Sequence, residues 1–583
     1  MNHRTRPSAF ALATLWAVLG MAAAHADEDA RLEAFFRNYL EEEFKHRPLE
    51  ATRLGDHRYD DRLDDLSPDA LKANAERARR ALADLKKTIR YDKLSRPGQI
   101  DYEILARHIE YGLWVNENTR PYETDPRLYN TCISDSVFLL LTQSTLPKAG
   151  NIRNAASRIR QIPRVVAAAR QNLKDPPRVL VEVALRQNRG SIAFYEKGIF
   201  EMTGETPQVS ELAGPCREAV RCLKEYQTFL EEDLLPKAGG DWRLGREKFY
   251  RKLELELNAG LTADQVLADA EAEARRVRGE MYVIARQLWS RTFPGEPLPP
   301  DDPEGRRETI RRVLGELNKD HGRPEDLVED ARATVQRIKD FIREKDILKL
   351  PEPDRCRIVE MPEFQRGFSV AYLNAAPPLD AAADSVYAVS PPPSEWDDRR
   401  VASFMQEYNR SMLQILTIHE AYPGHYVQLE YSNRCPSLVR KVLPSGVFAE
   451  GWAVYTEQMM LDQGYGDGDL AMRLHQLKWY LRAVTNAILD HKMHCTDMSD
   501  AEALDLLVNG AFQEEGEAVG KILRAKQSSC QLSTYFVGRM AFYRLRQKVQ
   551  RERGERFDLG RFHEAVLSHG SPPVKYLPEL VRE

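Results

Sequence analysis

The stretch "TIHEAYPGHY" (417–426) decides how this chain is read. A helix ending in His-Glu offers a metal ligand and, beside it, a carboxylate able to take a proton from a bound water. In the commonest zinc-hydrolase helix a second histidine follows four residues later, about one turn on and on the same face. Here the step from His419 to His425 is six. In an unbroken helix six residues turn roughly 600°, which leaves the second imidazole about 120° from the first. Pro423 answers this, because it cannot donate a helical hydrogen bond and disfavours helical geometry at Tyr422. Gly424 adds backbone freedom. The spacing predicts a helix that stops, loops out two extra residues at 422–424, and returns His425 to where an i+4 ligand would stand.

A third ligand is expected on a following helix. "FAEGWAVYTEQMM" (448–460) supplies Glu450, 25 positions beyond His425. Glu457 lies two turns further along almost the same face, placed to hold a ligand imidazole from behind. Gly451 leaves room for another element to approach closely. Two imidazoles, one carboxylate and an open position form the donor set of a hydrolytic zinc site, so Zn2+ is the expected cofactor. A single His-Glu pair would be a weak signal. The joint pattern of helix, HE, interruption, GH and a downstream E-G-W-A-x-x-x-E is a strong one.

"EGWAVYTE" resembles the third-ligand segment of the large zinc aminopeptidases, with Ala449 where they carry Asn. The chain is more closely similar to a bacterial, often exported, helical family known as domain-of-unknown-function family 885, whose hallmark pair is "HEAYPGH" and "EGWAVYTE". The resemblance extends to "PLEATRLGDHRYDDRL", "DHKMHCTDMSDAEAL" and "FHEAVLSHGSPPVKYL", and so to nearly the whole chain beyond its first residues. It implies a helical gluzincin-like metallopeptidase fold. The chain departs from it after "DHKMH", where members often carry a tryptophan-containing turn and this sequence has "CTDMSD".

In that reading Glu420 is the general base and proton carrier. Asp490 and His494 stand one turn apart, so the carboxylate could orient the imidazole toward substrate. Tyr535 and Arg539, also one turn apart, suit an oxyanion and a substrate carboxylate respectively. His563 and His569 are read as structural. Before the motif, "GFSVAYLN" (367–374) and "SVYAVSPPP" (385–393) are short β-rich runs. "FSVAYLN" could present an edge to which an extended peptide adds its backbone.

Working outward, helical periodicity dominates. Ser67 and Pro68 open one helix, and Thr262 with Gln265 forms a capping box. Val266, Ala270, Val277, Met281, Ile284 and Leu288 then recur at helical spacing, as do Leu327, Ala331, Val335, Ile338 and Ile342. Ser499 and Glu502 make a second capping box. The expected fold is mainly α, a large helical body with a small β element before the zinc helices. A soft boundary near "PKAGGDWRLG" (236–245) separates an N-terminal helical region (27–240) from a zinc-motif region (241–583), which could also be one continuous domain.

The first 26 residues read as a signal peptide: Arg4 and Arg6, an apolar run from Ala9 to Ala24, and a small-residue cleavage site at Ala24-His25-Ala26. No later run is long enough to span a bilayer. Export to the periplasm or beyond is expected, with no stable membrane insertion of the mature chain. Lys+Arg 84 against Asp+Glu 89, with no basic stripe, excludes nucleic acid as a partner. Seven cysteines are too few and too odd for a disulfide scaffold, although Cys216 and Cys222 could pair. The expected function is an exported zinc metallopeptidase acting on short peptides. A zinc amidase on a non-peptide or cell-wall-derived amide would use the same residues, and a zinc-stabilised binding protein would need no Glu420.

Overall fold

Apolar residues spaced by three and four build helices along most of the chain, and the fold is mainly α. The computed structural model describes the backbone of residues 9–361 and 371–582, with side chains from residue 25 onward. Residues 1–8 of the expected leader lie outside the described residues, and Ala9 begins a helix that runs to His46. The predicted caps form. Ser67 accepts from the Ala70 amide, and both capping boxes, Thr262 with Gln265 and Ser499 with Glu502, are complete. Both predicted apolar stripes are buried, on helices Ala263–Thr292 and Leu327–Glu344.

Three strands form one sheet: β1 (Cys356–Glu360), β2 (Ala371–Asn374) and β3 (Ser385–Val389). Their order is β1-β3-β2, with β3 parallel to β1 and antiparallel to β2. β2 is therefore an edge strand. The reading from sequence found the runs containing β2 and β3 and missed β1. "CRIVE" shows no clean alternation, and its partner in the sheet lies far along the chain. Residues 367–370 of the proposed edge lie outside the described residues.

Six helices surround the motif: α1 (Arg410–Glu420), α2 (His425–Arg434), α3 (Gly446–Asp462), α4 (Leu470–Cys495), α5 (Glu515–Gln527) and α6 (Thr534–Arg553). α4 is buried along nearly its whole length. One large apolar core runs from Phe249 through α1–α4 and α6 to Val581, a second occupies residues 63–234, and α5 packs through Ala518, Ile522 and Ala525 on a smaller cluster with Leu489 and Met493 of α4. The first helices bridge the two parts of the chain. Leu105 and Ile109 belong to a core shared with Val439, Val442 and Tyr576. Arg440 Nε reaches Asp101 at 2.6 Å, and Arg96 pairs with Glu579 at 2.7 Å.

All seven thiols are free. Cys216 and Cys222 sit six residues apart inside the single helix Ser210–Thr228, which points them to different sides, so the pairing considered from sequence is not made. Among the described residues no helix is long and apolar enough to cross a membrane.

Backbones touch where α3 meets α6. A Cβ at Gly451 would lie 2.3 Å from Gly538 Cα, and one at Gly538 would lie 2.0 Å from the Val447 carbonyl oxygen. This contact sets the position of the helix that carries Glu450 and Glu457. Gly538→Ala must push the helices apart, with an expected loss of about 1–3 kcal/mol. Urea denaturation checks it: the midpoint should fall, and an unchanged midpoint would contradict the close approach.

Candidate metal centre and its cavity

α1 is capped by Asn409, whose side chain accepts from the Ser411 and Met412 amides, and ends at Glu420. The interruption falls where the sequence placed it, and α2 begins at His425. Gly424 is required here for space. Its φ is −70°, an ordinary value, but a Cβ would lie 1.9 Å from His419 O and 2.3 Å from Ile418 O. The Gly424 amide donates to Ile418 O at 3.0 Å. Trp452, fully buried on α3, donates its indole N–H to Pro423 O at 2.8 Å. Tyr422 and Tyr426 anchor the loop on the other side, through Asp354 Oδ1 at 2.6 Å and the Arg355 amide at 2.7 Å.

The break brings the three expected ligands together. One donor atom from each of His419, His425 and Glu450 lies within 4.8 Å of the others. Glu450 Oε2 is 3.5 Å from His425 Nε2 and 3.8 Å from His419 Nε2. A tetrahedral ion with bonds of about 2.0–2.2 Å holds its ligand atoms about 3.3–3.6 Å apart, so the residues fit a zinc-sized cation. Glu457 Oε1 lies 2.7 Å from His419 Nδ1. That contact assigns the Nδ1 proton to the carboxylate side and leaves Nε2, the atom facing Glu450, with its lone pair.

Electrostatics match this donor set. Burial, with His425 adding to it, pushes His419 down to about 3, so the imidazole is neutral as a ligand must be. Burial also works against charging His425, but the Glu450 and Glu420 carboxylates outweigh it and hold His425 above its ordinary value. Burial raises Glu420 to about 7, with Glu450 adding to the rise, while His425 and the Leu373 amide of β2 pull it down. Burial pushes fully enclosed Glu457 well above the carboxylate range, although Trp479 and the Arg539 and Arg482 guanidiniums oppose the rise. A cation on the far side of His419 would offset that cost.

His419 and Glu420 open onto a cavity of about 260 Å³. Tyr535 lines it, as an oxyanion donor should, and takes a 3.3 Å hydrogen bond from Arg524. Other sequence assignments land elsewhere. His494 is 2% exposed and committed to backbone: Nε2 donates toward the Ser528 and Ala525 carbonyls at 2.9 and 3.0 Å, and Nδ1 faces the Leu244 amide at 3.4 Å. It anchors the segment at the soft boundary and faces no substrate. Asp490 does not orient it, because its carboxylate accepts from the Cys530 amide and the Ser533 hydroxyl, both at 3.0 Å. Arg539 is 2% exposed, bonded to Gln458 and sandwiched against the Tyr480 and Tyr543 rings, so it is a core residue and does not reach substrate. His563 is structural, bridging the Tyr455 hydroxyl and the Ile347 carbonyl at 2.8 Å each.

The cavity's cations escaped the reading from sequence. Arg482 on α4 and Lys521 and Arg524 on α5 line it. One signal was available: Lys478, Arg482, Asn486 and Asp490 recur every four residues on a long, mostly buried helix, which marks a polar seam inside the protein.

Fold and site together define a mainly helical protein with a His-His-Glu centre at a broken helix. The chain belongs to the family described as "Bacterial protein of unknown function (DUF885)", whose model matches residues 48–581. Two solved structures resemble it over almost their full length. A protein of unknown function from Shewanella oneidensis is 30% identical, with 94% of this chain and 99% of that chain covered and a TM-score of 0.80. A protein from Colwellia psychrerythraea is 17% identical, with 95% and 98% covered and a TM-score of 0.77. Both are described as a "putative lipoprotein". No curated protein matches.

Two outcomes follow for the centre. A cation held here would have to displace a proton from His425, which the neighbouring carboxylates hold above its ordinary value. If the three residues bind zinc, its affinity should fall as pH is lowered through the His425 titration, and competition with a chelator from pH 8 to 5.5 reads it. A flat profile contradicts the assignment. Glu457→Gln should weaken zinc binding roughly 10- to 100-fold without unfolding the chain.

Proposed function

We propose that the protein is a zinc-dependent hydrolase of peptide bonds, exported from the cell that makes it. The observation that carries this reading is the meeting of His419, His425 and Glu450 with Glu420 beside them at the mouth of one cavity. When bound, the ion would make a water acidic near neutral pH and polarise the scissile carbonyl. A site serving stability alone has no use for a fourth, proton-accepting group at this position.

Glu420 takes the proton of the attacking water and delivers it to the leaving amine. Without a cation, burial holds it at about 7, and a bound ion would pull it down toward the charged form that accepts the proton, so burial and the ion together keep both protonation states accessible. Tyr535 offers a hydroxyl to the developing oxyanion. Substrate alignment falls to β2. Among the described residues β2 pairs with β3 on one side, and the Leu373 amide lies against Glu420, so a peptide aligned along β2 would run past the reacting groups. Glu457 fixes the His419 ring and so the direction of its lone pair. Export is supported by the leader-like first 26 residues and by the lipoprotein descriptions of the two structural neighbours.

Glu420→Gln keeps the shape and removes the base. The zinc-loaded variant should retain its metal and lose hydrolysis of a mixed peptide library by about 10²- to 10⁴-fold, followed by mass spectrometry of the new termini. Equal cleavage by parent and variant would remove Glu420 from the mechanism. Cleavage by neither, with zinc retained, would remove the peptidase reading.

A further inference from the structure

The cavity beside Glu420 gathers three cationic side chains, Arg482, Lys521 and Arg524, on one side. Arg482 is paired with Glu517 at 2.5 Å, as neighbouring Lys478 is with Glu407 at 2.8 Å, and neither pair reaches Lys521. Lys521 stands one turn after Glu517 on the same helix, yet Glu517 turns to Arg482 instead. Lys521 is 5% exposed and lines the cavity, and among the described residues it makes no ion pair or side-chain hydrogen bond. Arg524 lies one turn further on, and its side-chain hydrogen bonds go only to neutral groups, Gln531 Oε1 at 2.8 Å and the Tyr535 hydroxyl at 3.3 Å.

A buried ammonium with no counter-ion is costly unless something else supplies the anion. Burial and the Arg482 and Arg524 guanidiniums push Lys521 down, against an opposing pull from Glu517, so an anion entering the cavity would favour its charged form. Helix geometry strengthens the point. Lys521 and Arg524 are three residues apart, so they share a face, and Arg482 meets them from α4. Two guanidiniums and an ammonium around one small volume are the recognition set for a carboxylate.

We propose that this cavity binds a carboxylate of the substrate, held by Lys521 and Arg524 with Arg482 behind them. The proposal rests on the hydrolase reading for its chemistry and adds the substrate class: short peptides bearing an anionic group close to the bond that is cut. The volume, about 260 Å³, falls below the roughly 300–1,000 Å³ of drug-sized ligand sites and suits a single residue at a chain end. The free α-carboxylate of a peptide C-terminus meets these terms, and the enzyme would then count from that end. An acidic side chain presents the same chemistry. The reading also moves the carboxylate contact proposed from sequence away from Arg539 and onto α5.

Binding separates these outcomes. The zinc-loaded Glu420→Gln protein is titrated calorimetrically with a neutral tripeptide, with its C-terminally amidated twin, and with an amidated tripeptide ending in Glu. The free acid should bind at least tenfold more tightly than its amidated twin. Lys521→Met should erase that difference, and Lys521→Arg should restore most of it. Thermal melting of each variant checks the fold, and the rescue by Arg stands even if Met destabilises the chain. Tight binding of the Glu-terminated amide assigns the pocket to a side-chain carboxylate, and weak binding assigns it to the C-terminus. Equal binding of all three peptides, or binding of none, overturns the proposal. A preference for the acid without Glu420-dependent hydrolysis in the parent would leave the carboxylate pocket and remove the hydrolase. Hydrolysis indifferent to amidation would do the reverse.

Discussion

Gly424 backs onto the carbonyls of Ile418 and His419 so closely that no side chain fits between them, and Trp452 reaches across to hold the next carbonyl, that of Pro423. These contacts end α1 at Glu420 and fix where α2 begins. Six residues of sequence then cover the ground that one helical turn would cover, and His425 returns to the side of His419. The residue that seals the break also places the third donor, since Trp452 lies two positions after Glu450 on α3. α3 in turn is held by its backbone contact with α6 at Gly451 and Gly538. The arrangement of the centre thus depends on a short chain of steric contacts, each with little room to give.

Around this point the protein tolerates an unusual density of buried charge. Glu457 is fully enclosed against His419, and α4 carries a polar seam through an apolar core. Most of these groups find partners: Glu407 with Lys478, Glu517 with Arg482, Asp490 with Cys530 and Ser533. Beside the centre and its cavity, Glu457 is buried against a ligand imidazole and Lys521 has no ion pair among the described residues. A positive ion would answer the first, and a substrate anion the second.

Much of this was legible in the sequence, for identifiable reasons. The break at 422–424 follows from proline and glycine chemistry acting within ten residues. Glu450 and Glu457 could be paired because helical periodicity alone puts them on one face. The helices and their caps are likewise local. What failed was whatever depends on the element across the way. Asp490 and His494 are neighbours along α4, but Asp490 is claimed by Cys530 and Ser533, and His494 by the segment near Leu244. Arg539 looked available until the Tyr480 and Tyr543 rings closed on it. β1 needed a parallel partner 29 residues away in its register, Cys356 with Ser385, which no local pattern announces. Arg482, Lys521 and Arg524 become a cluster only when α5 docks on α4.

Native mass spectrometry of the chain titrated with zinc tests the central claim most directly. One ion should be retained by the parent. None should be retained by His419→Ala, His425→Ala or Glu450→Ala under the same conditions, with folding verified by circular dichroism. A parent that holds no ion, or three variants that each hold one as firmly as the parent, would contradict the account.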